Sequence, residues 1–269
     1  MSEALPDRAH LESEYWHRGT AIKTLCIKYG MTPKAFVEHL ISVGIRPKNY
    51  HWYKLNPDFE FSPEQASVLT GTLLGDACLA GSKKMWKLQL CHGSKQEAYL
   101  RWKMGFFQEM WNGHVYTQQR EKREKPFTSY MAHTYLHPVF LDWRRKFYRD
   151  GRKHIPLDIE ERLTPLAVAV WHMDDGCFCV SNSIWTLTMC TQCYRDLDVH
   201  RLRNAMYHRY GIALNIYKGQ DGFILRSGRY KVVTKFLDLV SPFVPQCMRY
   251  KVETLNDCTP APQQGEDTV

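Results

Sequence analysis

Hydrophobic positions along the chain follow two periods, and the period switches in a set order. Between Glu12 and Val43 the spacing is helical, with Leu25, Tyr29, Met31, Phe36 and Leu40 as apolar positions. Gly30 interrupts the pattern, and Pro33 restarts it at a first helical position. The segment reads as two helices folded about a glycine turn. Residues 46–61 carry two prolines and no clean period, and they read as a linker. Beyond them the pattern predicts a helix (62–76), two strands (77–81 and 84–92) and a helix (94–111). A hairpin (114–122 with 127–137) and a closing helix (137–150) follow. In the strands, Lys87 and Gln89 alternate with Leu88 and Leu90, which makes one face polar and the other apolar.

The same order then begins again. Asp76 and Asp175 end two apolar runs 99 positions apart, and the same offset relates Cys78 to Cys177 and Cys91 to Cys190. Gly113 and Gly211 stand 98 apart, as do Lys153 and Lys251; the two FLD triplets, at 140 and 236, stand 96 apart. So steady an offset marks a duplicated unit. Each unit is α-β-β-α-β-β-α, so the expected fold is α+β with two pseudo-symmetric repeats behind a small helical domain. The expected divisions are 1–45, a linker at 46–61, repeats at 62–157 and 158–257, and a disordered tail at 258–269.

Composition narrows the partners. The 269 residues carry a net charge of +8, 44% hydrophobic and 13% aromatic residues, with pI near 9.0. A phosphate-rich partner suits that balance. Basic residues cluster at 118–125, 142–153 and 199–209. No apolar run reaches the 18 or so residues of a membrane helix, and the acidic, polar start is unlike a signal or transit peptide. A soluble intracellular protein without a membrane partner is expected, in cytoplasm or an organelle matrix. Cys177, Cys179, Cys190 and Cys193 have a spacing that invites a structural zinc. Ala80 and Ser94 stand at two of the four equivalent places, so free thiols are the better reading.

The two apolar runs carry the chemistry. In L-T-G-T-L-L-G-D, residues 69–76, Gly71 and Gly75 lie four apart on one helix face, where another backbone can approach closely. The second run reads V-A-V-W-H-M-D-D-G over 168–176. Together with the repeat, these motifs resemble the LAGLIDADG homing endonucleases, in the single-chain branch whose second motif has the form LAxWxMDDG. The resemblance covers about residues 62–256. It implies two motif helices packed side by side, with Asp76 and Asp175 brought together beneath DNA as catalytic residues and metal ligands. Two close carboxylates repel unless a cation lies between them, and hard oxygen ligands point to Mg²⁺, with Mn²⁺ as a substitute. Backbone carbonyls of Gly75 and Asp174 complete the implied metal set. Lys153 and Lys251 match the family's basic-pocket lysines, and Gln192 resembles its polar pocket residue. By offset the counterpart of Gln192 is Gly93, for which His92 is a substitute. Asp174 offers a second choice of acid, but Asp175 matches Asp76 in register. Trp171 and His172 read as packing residues.

The resemblance also implies a saddle of eight strands whose polar face enters the major groove. Lys87, Gln89, Gln118, Arg120, Thr186, Thr188, Asn215 and Tyr217 are its expected base readers. The N-terminal helices resemble a helix-turn-helix, with Thr32 and Lys34 on the DNA side. Non-identical halves imply a monomer on a long asymmetric double-stranded site. Two alternatives stay open: a maturase acting on intron RNA, and a DNA-binding regulator without catalysis.

Overall fold

A computed structural model describes residues 6–18, 20–47, 52–122 and 125–253; the expected tail lies outside them. Near the N-terminus, helices α1 (Ile22–Lys28) and α2 (Pro33–Ser42) flank Gly30, whose φ of +61° is the left-handed conformation that glycine adopts without strain. Thr32 caps α2 by accepting from Ala35 N. These helices enclose a core of their own, built from Leu11, Tyr15, Leu25, Cys26, Phe36, Leu40 and Ile45.

The expected linker is docked rather than free. The Arg46 guanidinium donates to the backbone carbonyls of Gln108, Glu109 and Trp111. His137 Nε2 bonds to the Asn56 carbonyl at 2.9 Å, and Phe61 packs against Phe107, Phe140 and Trp143. Aromatic residues in an aperiodic segment give no period, yet they bury as well as any others.

Each repeat begins with a capped motif helix. Ser62 and Gln65 form a capping box at α3 (Pro63–Leu74), with Pro63 in the first turn. The first repeat continues through β1 (Cys78–Ser82), β2 (Met85–Gly93), α4 (Glu97–Gly105), β3 (Tyr116–Lys122), β4 (Lys125–His133) and α5 (Phe140–Phe147). Here one expectation fails. The closing helix stops at Phe147, because β5 (Tyr148–Arg149) pairs with β6 (Arg152–Lys153). Asp150 and Gly151 form the turn with φ of +50° and +75°, the geometry that an Asp-Gly pair favours in a tight hairpin.

The second repeat opens with α6 (Pro165–Asp175), capped by Thr164 with Pro165 in its first turn. It continues through β7 (Gly176–Ser181), β8 (Ile184–Cys190), α7 (Asp196–Tyr210), β9 (Asn215–Gly219), β10 (Gly222–Ser227) and α8 (Tyr230–Val240). Both sheets are antiparallel with one strand order, β1-β2-β4-β3 and β7-β8-β10-β9. That shared order is the structural counterpart of the sequence offset. Leu88 and Leu90 of β2 and Leu187 and Met189 of β8 are buried, leaving Lys87, Gln89 and Thr188 on the opposite face.

The repeats meet along α3 and α6, where Leu69, Leu73, Val168, Val170 and Trp171 are fully buried. A Cβ added to Gly71 would lie 2.4 Å from the Ala167 carbonyl oxygen and 2.7 Å from Val170 Cβ. Gly71→Val should therefore separate the helices and lower stability by at least the ~1–3 kcal/mol typical of an overpacked core. In Gly105→Ala, where the added Cβ meets nothing within 4 Å, stability should hold or rise slightly. Urea denaturation of the two variants checks this; equal midpoints would show that the helix contact tolerates side chains.

Candidate active site

Both motif helices deliver their C-terminal ends to one place. Helix C-termini carry unpaired carbonyls and partial negative charge, so they favour cations and donors. Tyr194 from the second repeat donates to the Leu74 carbonyl of α3 at 2.7 Å, while Tyr99 from the first repeat donates to Val170 of α6 at 3.3 Å. The end of α3 is thus capped from the second repeat, and the body of α6 is tied to the first.

Asp174 fits where Gly75 leaves space: a Cβ at position 75 would lie 2.4 Å from Asp174 Cβ. Its side chain is buried and turns inward to Lys103, whose Nζ lies 2.8 Å and 3.1 Å from the two carboxylate oxygens. Tyr99 Oη donates to it at 2.8 Å, and Thr72 Oγ1 and Asp76 N at 3.3 Å and 3.2 Å. Burial pushes this carboxyl up, but the Lys103 ammonium and the donated hydrogen bonds outweigh it and hold the pKa below the usual range. Asp174 therefore has work of its own. The acid neutralises a buried lysine, whereas its counterpart in the first repeat, Gly75, carries no side chain. Lys103 itself escaped the sequence reading. The available signal was its place on the apolar face of α4 with Tyr99, Leu100 and Met104.

Asp76 and Asp175 face outward more. Burial, then the Asp174 charge, raises Asp76 to about 6, with Lys103, Lys153 and Lys251 opposing. Burial, then Asp76 and Asp174, raises Asp175 to about 7. The two acids resist ionising together, a state that a divalent cation relieves. Lys153 Nζ donates to the Gly75 carbonyl at 2.6 Å and Lys251 Nζ to the Gly176 carbonyl at 2.8 Å. Burial lowers the Lys153 pKa, opposed by nearby Cys193 and Asp175. The expected carbonyl ligand Gly75 is thus shared with an ammonium, and its second lone pair remains for a cation. His172 is buried, pushed down to about 4 by burial, and its Nε2 bonds to the Lys251 carbonyl at 2.9 Å. It packs, as expected, and also steadies the segment that carries Lys251. Gln192 lies exposed in the turn after β8, and among the described residues no hydrogen bond joins it to either acid. His92 is buried, with Nδ1 3.6 Å from Asp76 Oδ2. Asp76, His92 and Asp174 each offer a ligand atom within 4.8 Å of the others, so the donor set suits a cation.

The strand registers sort the expected base readers. Tyr116 and Gln118 stand beside Met131 and Ser129, and Gln118 Nε2 reaches Met131 Sδ at 3.4 Å. Arg120 pairs with Phe127 in the backbone ladder. Cys177 opposite Thr188, and Arg226 opposite both Thr188 and Asn215, form one face of the second sheet, with Tyr217 beside Ile224. Thr186 is on that face but nearly buried. Exposed Arg226 was missed, although the alternation of Leu225 and Arg226 in GFILRSG signals it. In the N-terminal helices Lys34 is exposed, whereas the Thr32 side chain is already committed to its cap.

Lys103→Met leaves Asp174 buried without its partner, and removal of one member of such a pair typically costs about 3–5 kcal/mol. Asp174→Asn should cost a similar amount, and Lys103→Met with Asp174→Leu together should cost far less than the sum. Thermal unfolding of the three variants checks this; additive losses would deny the coupling.

Comparison with known proteins agrees with this architecture. The homing endonuclease I-WcaI, solved bound to its DNA recognition sequence, superposes with a TM-score of 0.71 at 23% identity, over 80% of this chain and 97% of that one. The DNA endonuclease I-ChuI of Chlamydomonas applanata is 25% identical over 72% of this chain and 96% of its own length. RecA of Mycobacterium gastri is 25% identical over 71% of this chain and 47% of its own, so the chain spans about half the length of such relatives. The profile of the LAGLIDADG DNA endonuclease family matches residues 66–233, and the chain belongs to that family.

Proposed function

We propose that the protein is a site-specific DNA endonuclease that uses divalent metal to hydrolyse one phosphodiester on each strand of a long asymmetric site. The observation that carries this reading is the pair of acids, Asp76 and Asp175, at the converging ends of two motif helices, where the Asp76 charge opposes ionisation of Asp175. Asp76 and Asp175 would hold Mg²⁺ or Mn²⁺ with the carbonyls of Gly75 and Asp174. Such an ion supplies charge stabilisation at phosphate and a water of lowered pKa. Lys153 and Lys251, fixed by the carbonyls beside the acids, place ammonium groups where charge develops on phosphate oxygens. Lys87, Gln89, Gln118, Thr188, Asn215, Tyr217 and Arg226 differ in kind between the two sheets, which favours an asymmetric site read by one chain. Exposed Lys23 and Lys34 of the N-terminal helices add phosphate contacts.

Asp76→Asn or Asp175→Asn should abolish double-strand cleavage while DNA binding survives, measured by a gel shift and a cleavage assay on the target. Cleavage should need Mg²⁺ or Mn²⁺, and Ca²⁺ should support binding alone; full activity in excess chelator would remove the reading. A stability measurement tests the same acids without DNA. Their folded pKa values lie above the unfolded value of about 3.9, so their ionisation disfavours the fold. The stability they contribute is complete below about pH 4 and is lost as pH rises through 6 to 7. Added Mg²⁺ should therefore raise Tm clearly at pH 8 and little at pH 5; equal shifts would place the ion elsewhere.

Lys23→Glu with Lys34→Glu should weaken target binding and flatten its salt dependence by about one to two phosphate contacts, with the cleavage position unchanged. An unchanged slope in binding titrations across salt would make the N-terminal helices purely structural.

A further inference from the structure

One half of the site holds an imidazole that the other half lacks. Building on the metal-dependent reading above, we infer that His92 is a direct ligand of the divalent cation at Asp76, which makes the first half a mixed nitrogen and oxygen site and leaves the second half all oxygen. His92 belongs to the inner face of β2 with Leu88 and Leu90 and is only 3% exposed. Its Nδ1 faces Asp76 Oδ2 at 3.6 Å, too long for a hydrogen bond. The distance does suit a shared cation. With metal–ligand bonds of about 2.1 Å, octahedral ligand atoms stand about 3.0 Å apart when adjacent and about 4.2 Å when opposite. The ring of Tyr99, 5.2 Å away between centroids, fixes the imidazole plane.

The third member of the cluster, Asp174, is already engaged by Lys103, Tyr99 and Thr72. Asp76 and His92 are then the side-chain ligands of this half. In the second repeat, Thr191 stands at the matching offset from His92, and its hydroxyl is committed to the Phe223 carbonyl at 2.7 Å. No comparable group surrounds Asp175 among the described residues. Imidazole favours the later first-row ions over Mg²⁺, whereas carboxylate and carbonyl oxygens suit Mg²⁺. The two halves should consequently differ in metal preference, with Mn²⁺ and Co²⁺ held better at Asp76 than at Asp175.

Pulsed electron spin resonance of Mn²⁺ bound to the full-length, tag-free protein tests this directly. The wild type should show the ¹⁴N coupling of a coordinated imidazole. His92→Gln should lose the coupling and bind Mn²⁺ at least about tenfold more weakly in that half, since even an outer partner of a metal ligand is typically worth 10–100-fold. Bound Mn²⁺ without ¹⁴N coupling in the wild type would overturn the inference and leave the metal reading intact. No loss of the free Mn²⁺ signal on adding protein would remove both. Should His92→Gln not fold, Asp76→Asn decides: the coupling should vanish with that carboxylate, and coupling that survives assigns the nitrogen to another histidine and overturns the inference.

Discussion

Two helices whose backbones touch cannot both carry side chains at the contact. Gly71 meets this constraint against the Ala167 carbonyl, and Gly75 meets it against Asp174. Everything functional in the fold depends on that closeness. Because α3 and α6 lie so near, their C-terminal ends deliver Asp76 and Asp175 into one electrostatic neighbourhood. Each acid is then pushed toward the neutral range by burial and by its neighbours' charges. A wider spacing would relax both pKa values. Packing at the middle of the helices thus sets the chemistry at their ends.

The contact is glycine on one side only, and the asymmetry propagates. Val170 and Asp174 occupy the registers of Gly71 and Gly75, so the second helix presses side chains into the first repeat. Asp174 arrives there as a buried charge and requires a buried partner, which Lys103 provides. An ion pair of this kind adds little net stability compared with apolar packing, but losing one member is costly. Its effect is to fix the register of one repeat against the other. Tyr99 and Tyr194 reinforce that register by bonding to carbonyls of α6 and α3 across the interface.

Much of this was legible in the sequence, and the part that was not has a common cause. The helices, the four-stranded units and the polar faces follow from periods of 3.6 and 2, which are local. The duplicated order follows from a constant offset, which is also local to each copy. Lys103 was hidden because one lysine in an apolar stripe reads as a chain that reaches solvent, and its partner lies 71 positions away. The docking of Arg46 and of residues 52–61 was hidden because the packing of Phe59 and Phe61 depends on where His137, Phe107 and Trp143 end up. The hairpin at Asp150-Gly151 did carry a local signal, but the run of residues before it read as continuing helix. Long-range complementarity leaves no period. Asp174 shows the consequence: its register offered only a second choice of acid, and its partner Lys103 shows what the charge balances.

The two lysines extend the same asymmetry to the surroundings of the two acids. Lys153 is held by the carbonyl just before its acid, and Lys251 by the carbonyl just after its acid. Different supports hold them as well. A two-residue strand in a tight hairpin carries Lys153, while Lys251 sits at the end of a 3₁₀ turn whose carbonyl is tied to His172. Each ammonium is therefore displaced along the chain differently relative to its acid. The duplicated motif therefore supplies two similar acids in two dissimilar settings. Pseudo-symmetry of the fold does not carry over to the chemistry of the halves, because the side chains that set charge and position diverged while the backbone that places them did not.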